Sequence, residues 1–98
     1  MTALHIAWFR FNDSVTPERI EQHLEACRGL VGRVPAVLNL QCGANYTDRA
    51  AGMTHGIVVT LPNREALPAY LDHPAHIPIG TALKADVAEL RVMDIELP

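Results

Sequence analysis

One short segment carries the side chains best suited to catalysis, since Tyr70, His73 and His76 fall within seven residues. With His73 as the N-cap of a helix and Pro74 at its first position, His76 becomes the third helical residue. The positive end of a helix disfavours an imidazolium ion, so His76 is predicted to be neutral at pH 7, as a general base must be. Tyr70 can donate a hydrogen bond to a substrate oxygen on which charge develops. The alternative is that Tyr70 packs while the two histidines cap the helix.

Two further histidines, His5 and His55, fall on predicted strands at positions that face the same side of a sheet. Either they line a pocket and orient His76, or they are hydrogen-bonded core residues. Asp94, on the last predicted strand, either accepts a hydrogen bond from a pocket histidine or caps that strand. The sequence leaves both alternatives open for each residue.

His23 and Cys27 are four residues apart and therefore share one face of a predicted helix. Together with His5 they are ligand types that suit a soft metal ion. No second cysteine or carboxylate clearly completes the set, so no metal site is predicted. Cys42 alternates with Gln41 on an outer strand and is expected to pack at a subunit interface rather than to react. The sequence contains no phosphate-binding loop, dinucleotide fingerprint or nucleophile elbow.

The composition restricts the class of protein. The 98 residues correspond to a single domain, and 49% hydrophobic with 19% charged residues is typical of a globular chain with one modest core. A net charge of −3 with scattered basic residues argues against nucleic acid or a membrane as partner. Two cysteines are too few for a disulfide framework, and the first residues lack the basic region of a signal peptide. Reduced thiols in a cytoplasmic protein are therefore expected.

Six elements must position these side chains. Thr16 followed by Pro17 predicts the start of a first helix that Pro35 ends. A second helix is predicted over 63–72, where Pro68 should kink or delay it, and after the break at 73–74 a short, irregular helix follows. Aromatic and β-branched residues between turn residues predict strands over 4–11, 37–43, 53–61 and 87–96. The order β-α-β-β-α-β predicts an α+β, ferredoxin-like fold, with both helices on one face of a four-stranded antiparallel sheet.

The two faces of this sheet have different predicted roles. With the first and third strands at the centre, the helix-facing side should carry His5, Ala7, Phe9, His55, Ile57 and Val59. The other face should carry Leu4, Ile6, Trp8, Leu38, Leu40, Val58, Met93 and Ile95. Nothing in the chain is left to cover this apolar face, so a homodimer packed sheet on sheet is predicted. The alternative is a sheet that stays partly wet.

Two motifs become apparent once the elements are placed. An H-P-x-H element follows Tyr70, and an H-x-x-x-F-x-F strand begins at His5. Further matching positions are Thr16-Pro17-Glu18, Pro35, Gly43, Met53-Thr54-His55, Gly80 and Asp94. Over nearly its whole length the chain resembles the stress-responsive dimeric α+β-barrel (Dabb) family. The resemblance implies one Dabb domain over residues 1–98, with a ferredoxin-like dimer and pockets between sheet and helices.

Within that family the chain is most similar to cofactor-free polyketide cyclases, which work by intramolecular aldol condensation. The resemblance implies His76 as the base and Tyr70 as the holder of the enolate or carbonyl oxygen, without a cofactor. His23 and Cys27 stand where those cyclases have bulky aromatic residues, so the pocket should be more polar and the substrate is not carried over. The predicted substrate-binding residues are His5, Ala7, Phe9, His23, Leu24, Cys27, His55, Ile57 and His73.

Three functions remain open at this stage. The first is a cofactor-independent cyclase, aldol or isomerase-type enzyme acting on a small carbonyl compound. The second is a non-catalytic stress-responsive or assembly protein, and the third is a metal- or haem-assisted oxygenase. A polar-lined cavity of about 300 Å³ or more between helices and sheet favours an enzyme or ligand binder, whereas a filled core favours an assembly protein.

Overall fold

The computed structural model describes all residues from 1 to 98. The elements along the chain are β1 Ala3–Phe11, α1 Pro17–Arg28, β2 Asn39–Ala44, β3 His55–Leu61, α2 Ala66–Leu71, α3 His76–Asp86 and β4 Val87–Glu96. This order confirms the predicted ferredoxin-like α+β fold, with its second helical region divided into α2 and α3. No helix is long and apolar enough to cross a bilayer.

One antiparallel sheet has the strand order β2-β3-β1-β4, so β1 and β3 are its central strands as predicted. In this register Ala7 of β1 lies opposite Ile57 of β3, and His5 lies opposite Asp94 of β4. The helix-facing positions of the central strands are the buried ones, and Phe9 and Val59 are both 0% exposed. The hydrophobic core fills the space between this face and the helices.

The first helix begins as predicted but ends early. The Thr16 hydroxyl accepts a hydrogen bond from the Arg19 amide at 3.2 Å, and Pro17 is the first helical residue. The prediction that the helix runs to Pro35 is wrong, because α1 ends at Arg28 and the chain continues in turns. One of these turns contains Gly32 with φ at 87°, a left-handed conformation that no regular helix contains.

The second helical region differs from prediction in its last part. As predicted, Pro68 delays the helix: α2 begins at Ala66 rather than at 63. Pro68 is thus its third residue, in the first turn, where backbone N–H groups have no partner within the helix, so the missing N–H of proline costs no hydrogen bond. The short, irregular helix expected after the break is instead an 11-residue α-helix. Pro78 is its third residue, so it too lies in the first turn and breaks no hydrogen bond, and Gly80 is accommodated within the helix.

The sheet face away from the helices is uncovered. Leu4, Ile6, Trp8, Val58, Met93 and Ile95 occupy it as predicted. The prediction that Leu40 lies on this face is wrong. Leu40 pairs with Val59, faces the helices and is only 7% exposed. The same register turns Cys42 inward, where its thiol donates to the Leu24 carbonyl at 3.6 Å. Leu38 precedes β2 and is exposed.

Candidate active site

A cavity of about 260 Å³ lies between the helix-facing side of the sheet and the three helices. It opens beside β4, whose inward-facing residues Leu90 and Val92 remain substantially exposed. Most of its wall is apolar, with a few polar groups that converge on one end. The lining residues are His5, Ala7, Cys27, Ile57, Tyr70, Leu71, His76, Ile79, Gly80, Leu83, Lys84, Leu90, Val92 and Asp94.

Tyr70 brings a phenol to this cavity from α2. Its side chain is almost completely buried, and burial, aided by the nearby Cys27 thiol, raises its pKa to about 12. The hydroxyl has no partner within the protein, and no fully buried side-chain nitrogen or oxygen lacks one, so the hydroxyl reaches the cavity. Tyr70 is therefore a neutral hydrogen-bond donor directed at whatever occupies the cavity.

His76 is the first residue of α3 and meets Tyr70 with a ring-centroid distance of 4.4 Å. Its Nδ1 donates to the Leu71 carbonyl at 3.0 Å, which assigns the proton to Nδ1 and leaves a lone pair on Nε2. Burial lowers its pKa, and the charges of His5 and Lys84 act in the same direction, although the Leu71 carbonyl opposes them. The pKa shift has the predicted direction, and burial is its main cause.

Gly80 is what allows the His76 ring to lie where it does. A Cβ atom added at Gly80 would stand 3.1 Å from Cε1 of His76, closer than side chains normally tolerate. The imidazole is thus held between the Leu71 carbonyl on one side and a helical position without a side chain on the other. This arrangement restricts the ring to one orientation.

His5 and Asp94 form a second polar pair on the cavity wall. Nδ1 of His5 donates to Oδ1 of Asp94 at 2.5 Å across the β1–β4 pairing, so Asp94 accepts a hydrogen bond from a pocket histidine rather than capping its strand. The other side of the His5 ring faces Tyr70 with a centroid distance of 5.7 Å. Two histidines and one tyrosine are therefore brought together around the end of the cavity.

Not every predicted binding residue reaches the cavity. His5, Ala7, Cys27 and Ile57 line it together with Tyr70 and His76, as the sequence suggested. The remaining candidates, Phe9, His23, Leu24, His55 and His73, do not.

These five residues lie in four different surroundings. His55 and Phe9 stack in an aromatic cluster completed by Phe11, and burial lowers the pKa of His55. His73 Nδ1 accepts a hydrogen bond from the Ala75 amide at 3.0 Å, so its ring is used in the turn before α3. Leu24 is a core residue of α1.

His23 belongs to a separate group of hydrogen bonds that joins α1 to the end of α3. Its Nε2 donates to Oδ2 of Asp86 at 2.7 Å, and the same oxygen accepts from Nε of Arg19 at 2.9 Å. The His23 ring stacks on Phe11 with 5.7 Å between centroids. The hydrogen bonds from His23 and then Arg19 lower the pKa of Asp86. No group of three or more His, Cys, Asp or Glu side chains is arranged to hold a metal ion.

Apart from His76 and Asp94, the part of the cavity wall contributed by α3 and β4 was not predicted from the sequence. A helical spacing links His76, Ile79, Gly80, Leu83 and Lys84, and strand alternation links Leu90, Val92 and Asp94. The helical pattern was not apparent because the sequence predicted only a short, irregular helix in this part of the chain.

Cys27 is the remaining residue on the cavity wall whose side chain could be chemically reactive. Burial raises the pKa of its thiol to about 11, with the nearby Cys42 acting in the same direction. It therefore stays a thiol at neutral pH, and a thiol is a poor nucleophile and metal ligand. The chemistry left to the cavity is proton transfer at Nε2 of His76, with hydrogen-bond donation from Tyr70.

Comparisons with known proteins identify the family to which the sequence is similar. The family model "Stress responsive A/B Barrel Domain" matches residues 3–97. The chain is 27% identical to olivetolic acid cyclase of Cannabis sativa over 96 residues, which cover 96% of this chain and 95% of that relative. These matches confirm the resemblance inferred from the motifs.

Two solved structures extend the comparison to the fold. The first is a dimeric ferredoxin-like protein of unknown function from Thermobifida fusca, with a TM-score of 0.87, 31% identity and coverage of 99% of this chain and 92% of that one. The second, hydroxynitrile lyase from Passiflora edulis, has a TM-score of 0.92 at 17% identity, covers 99% of this chain and 94% of that one, and shows likeness of fold alone.

Proposed function

We propose that this chain, which belongs to the stress-responsive A/B barrel (Dabb) family, is a cofactor-independent enzyme that removes a proton next to a carbonyl group of a small molecule. Ring closure, aldol reaction and isomerisation all begin with this step, and the similarity to a cyclase favours ring closure. The observation that carries the proposal is the pairing of His76, with its proton held on Nδ1, and a Tyr70 hydroxyl without a protein partner.

The steps follow from these two side chains. Nε2 of His76 takes a proton from the carbon beside the carbonyl, and the electron pair moves onto the carbonyl oxygen. Tyr70 donates a hydrogen bond to that oxygen and stabilises its developing charge. The enolate carbon attacks a second carbonyl of the same molecule, and the new alkoxide takes back the proton held by His76. Electrons and protons balance within the substrate.

The size of the cavity restricts the substrate. About 260 Å³ is slightly below the ~300–1,000 Å³ usual for small-molecule sites. A compact molecule with two carbonyl groups fits this space better than one with a long alkyl chain. The apolar wall of Ile57, Ile79 and Leu83 suits the carbon skeleton, while the polar end suits the reacting carbonyl.

The proposal is tested by isotope exchange in D₂O with a panel of simple ketones and β-keto esters. The wild type should exchange the proton next to the carbonyl, and His76→Ala should lose at least about 100-fold of that rate because a general base typically contributes 10²–10⁴-fold. Tyr70→Phe should lose about 100-fold, and the double variant should be scarcely worse than His76→Ala. Full exchange activity in a folded His76→Ala protein would reject the catalytic role.

The same experiment decides the main alternative. If no member of the panel exchanges with the wild type, the non-catalytic stress-responsive or assembly protein becomes the better interpretation. The cavity would then be a binding site or an unused gap beneath α3.

We further propose that the protein is a homodimer joined through the uncovered sheet face. Burying Leu4, Ile6 and Trp8 against a second copy removes a large apolar surface from water. The 31% identical protein from Thermobifida fusca is described as dimeric, which supports the same assembly here.

Sedimentation velocity tests this assembly. Ile6→Asp should split or unfold the dimer, since an unpaired carboxylate would otherwise be buried at the interface. Val31→Asp is the matched control, because Val31 is exposed in the turns after α1, outside the sheet, and should leave the sedimentation coefficient unchanged. A wild type that sediments as a monomer at micromolar concentration would rule the dimer out.

We also place the protein in the cytoplasm. Both cysteines, Cys27 and Cys42, are free thiols, which suits a reducing compartment. Alkylation of both thiols when cells are lysed directly into denaturant, without added reductant, is the expected result.

A further inference from the structure

Lys84 is the only lysine of the chain, and it lies on the wall of the candidate active-site cavity. It sits in the last turn of α3, about two turns after His76, and therefore on the same side of the helix. Neighbouring positions on the wall, Ile79, Leu83 and Leu90, are apolar. A single flexible ammonium group thus stands beside an otherwise mostly apolar opening.

The charge of Lys84 has no counter-ion within the protein. Five of the arginines, by contrast, approach a carboxylate within 4 Å: Arg10, Arg19, Arg28, Arg64 and Arg91. The one carboxylate on the cavity wall, Asp94, is occupied by His5. Lys84 is accordingly the only charged side chain of the cavity without a partner.

The other polar groups around the cavity leave this charge uncompensated. Tyr70 on α2 is a neutral phenol with its pKa at about 12, and Cys27 on α1 is a neutral thiol with its pKa at about 11. His76 on α3 has a lowered pKa, partly because Lys84 is near. A ligand that carries one negative charge would supply the missing counter-ion of Lys84.

We propose that Lys84 is a specificity-determining residue that pairs with a carboxylate of the substrate, so that the substrate class is a small β-keto carboxylate that carries a second ketone group for ring closure. This inference rests on the proposed function, since it places the keto group at Tyr70 and His76 and the carboxylate at the cavity opening. One ammonium group neutralises a carboxylate, whereas a phosphate dianion would keep an unpaired charge close to Asp94.

Pairing at Lys84 also has a consequence for the base. Once the substrate carboxylate neutralises the ammonium, the repulsion between Lys84 and a protonated His76 is relieved. The basicity of His76 then rises when a carboxylate substrate is bound and is unaffected when a neutral one is bound. The groups that share this effect are His5 on β1 and Asp94 on β4, and both are held by their mutual hydrogen bond.

The test compares two probes of nearly equal size, acetoacetate and its uncharged methyl ester. Binding is followed through the ring signals of His76 in NMR titrations of the full chain at low salt. The wild type should bind acetoacetate about fivefold more tightly than the ester, as expected for one partly exposed ion pair. Acetoacetate, but not the ester, should also raise the pKa of His76.

Three variants separate a specific pair from a general charge effect. Lys84→Met keeps the aliphatic stem and should bind both probes equally, whereas Lys84→Arg should retain the preference. Arg33→Met is the matched control: it removes the same charge from an exposed residue outside the cavity and should keep the wild-type preference.

The outcomes also separate this proposal from the catalytic one. Equal affinity of the wild type for both probes, or a preference that survives in Lys84→Met, overturns the role of Lys84. A preference lost equally in Arg33→Met overturns it too, because the effect then follows net charge. If the preference stands but no proton exchange is detected with any ketone, the catalytic proposal fails while carboxylate recognition holds.

Discussion

Two histidine–aspartate pairs in this protein have the same chemistry and different surroundings. His5 and Asp94 join neighbouring strands at 2.5 Å, while His23 and Asp86 join two helices at 2.7 Å. The His23 side chain is 5% exposed and the His5 side chain 13%, so both rings are largely enclosed. The pairs differ in what lies on the other side of the ring.

Neighbouring groups determine what each pair can do. His23 stacks on Phe11, and Asp86 is shared with Arg19, so every partner in that group is part of the protein. His5 faces Tyr70 and an open cavity, so one side of its ring is left for a ligand. The His23–Asp86 pair is therefore a structural contact between two helices, whereas the His5–Asp94 pair is a candidate part of an active site.

The largest effect that distinguishes the pairs should be on stability. His23→Ala removes a buried, stacked ring and leaves a cavity beside Phe11, which should cost about 3 kcal/mol of the free energy of unfolding. His5→Ala, at a more open position, should cost clearly less. Urea denaturation of both variants is the measurement, and equal losses would contradict the distinction.

The next effect should be on rate. Asp94→Asn keeps the shape but removes the charge that orients His5, and it should lower the proton-exchange rate about tenfold, or about 1.4 kcal/mol of barrier. Asp86→Asn is the same change at the other pair and should leave the rate per folded molecule unchanged. If both variants lose the same activity, His5 and Asp94 have no special relation to the site.

The smallest effect is a difference in pH dependence. His76 has a folded-state pKa below its ordinary value of 6.5, so below that pH the unfolded chain binds more protons and the free energy of unfolding falls. His55 acts in the same direction. Asp86 has a pKa below 3.8, so its stabilising contribution is complete above that pH and is lost only as the pH falls through its folded-state value.

Urea denaturation between pH 7.5 and 3 should therefore show two separate declines. His76→Gln should make the first decline, below pH 6.5, shallower, while Asp86→Asn should change only the second. A first decline that His76→Gln leaves unaltered would show that the imidazole is not held neutral in the fold.

The fold could be predicted because its signals are local. The aromatic-rich run of β1 and the Thr16–Pro17 start of α1 identify elements within a few residues, and their order limits the topology. The end of α1 also had a local signal, Gly29 and Gly32, but the apolar stripe that continues past them concealed it.

The inward direction of Leu40 could not be predicted in the same way. It depends on the pairing with Val59, and a strand read alone does not reveal its register.

The site could be predicted only in part, for the same reason. Tyr70 and His76 are close in sequence, and their types alone suggest acid–base chemistry. His5 and Asp94 meet across a strand pairing, and Lys84 reaches the cavity only because α3 is a regular helix despite Pro78 and Gly80. His23 and His55 show the reverse: chemically suitable residues were drawn into structural contacts by neighbours far away in sequence.

The central position of β1 also bears on how the protein is made. This strand is synthesised first, yet its neighbours β3 and β4 begin about 45 and 75 residues after it ends. During that interval both edges of an apolar strand are unpaired, and such edges invite association with other chains. Among the four strands, β1 therefore waits longest for its hydrogen-bonding partners.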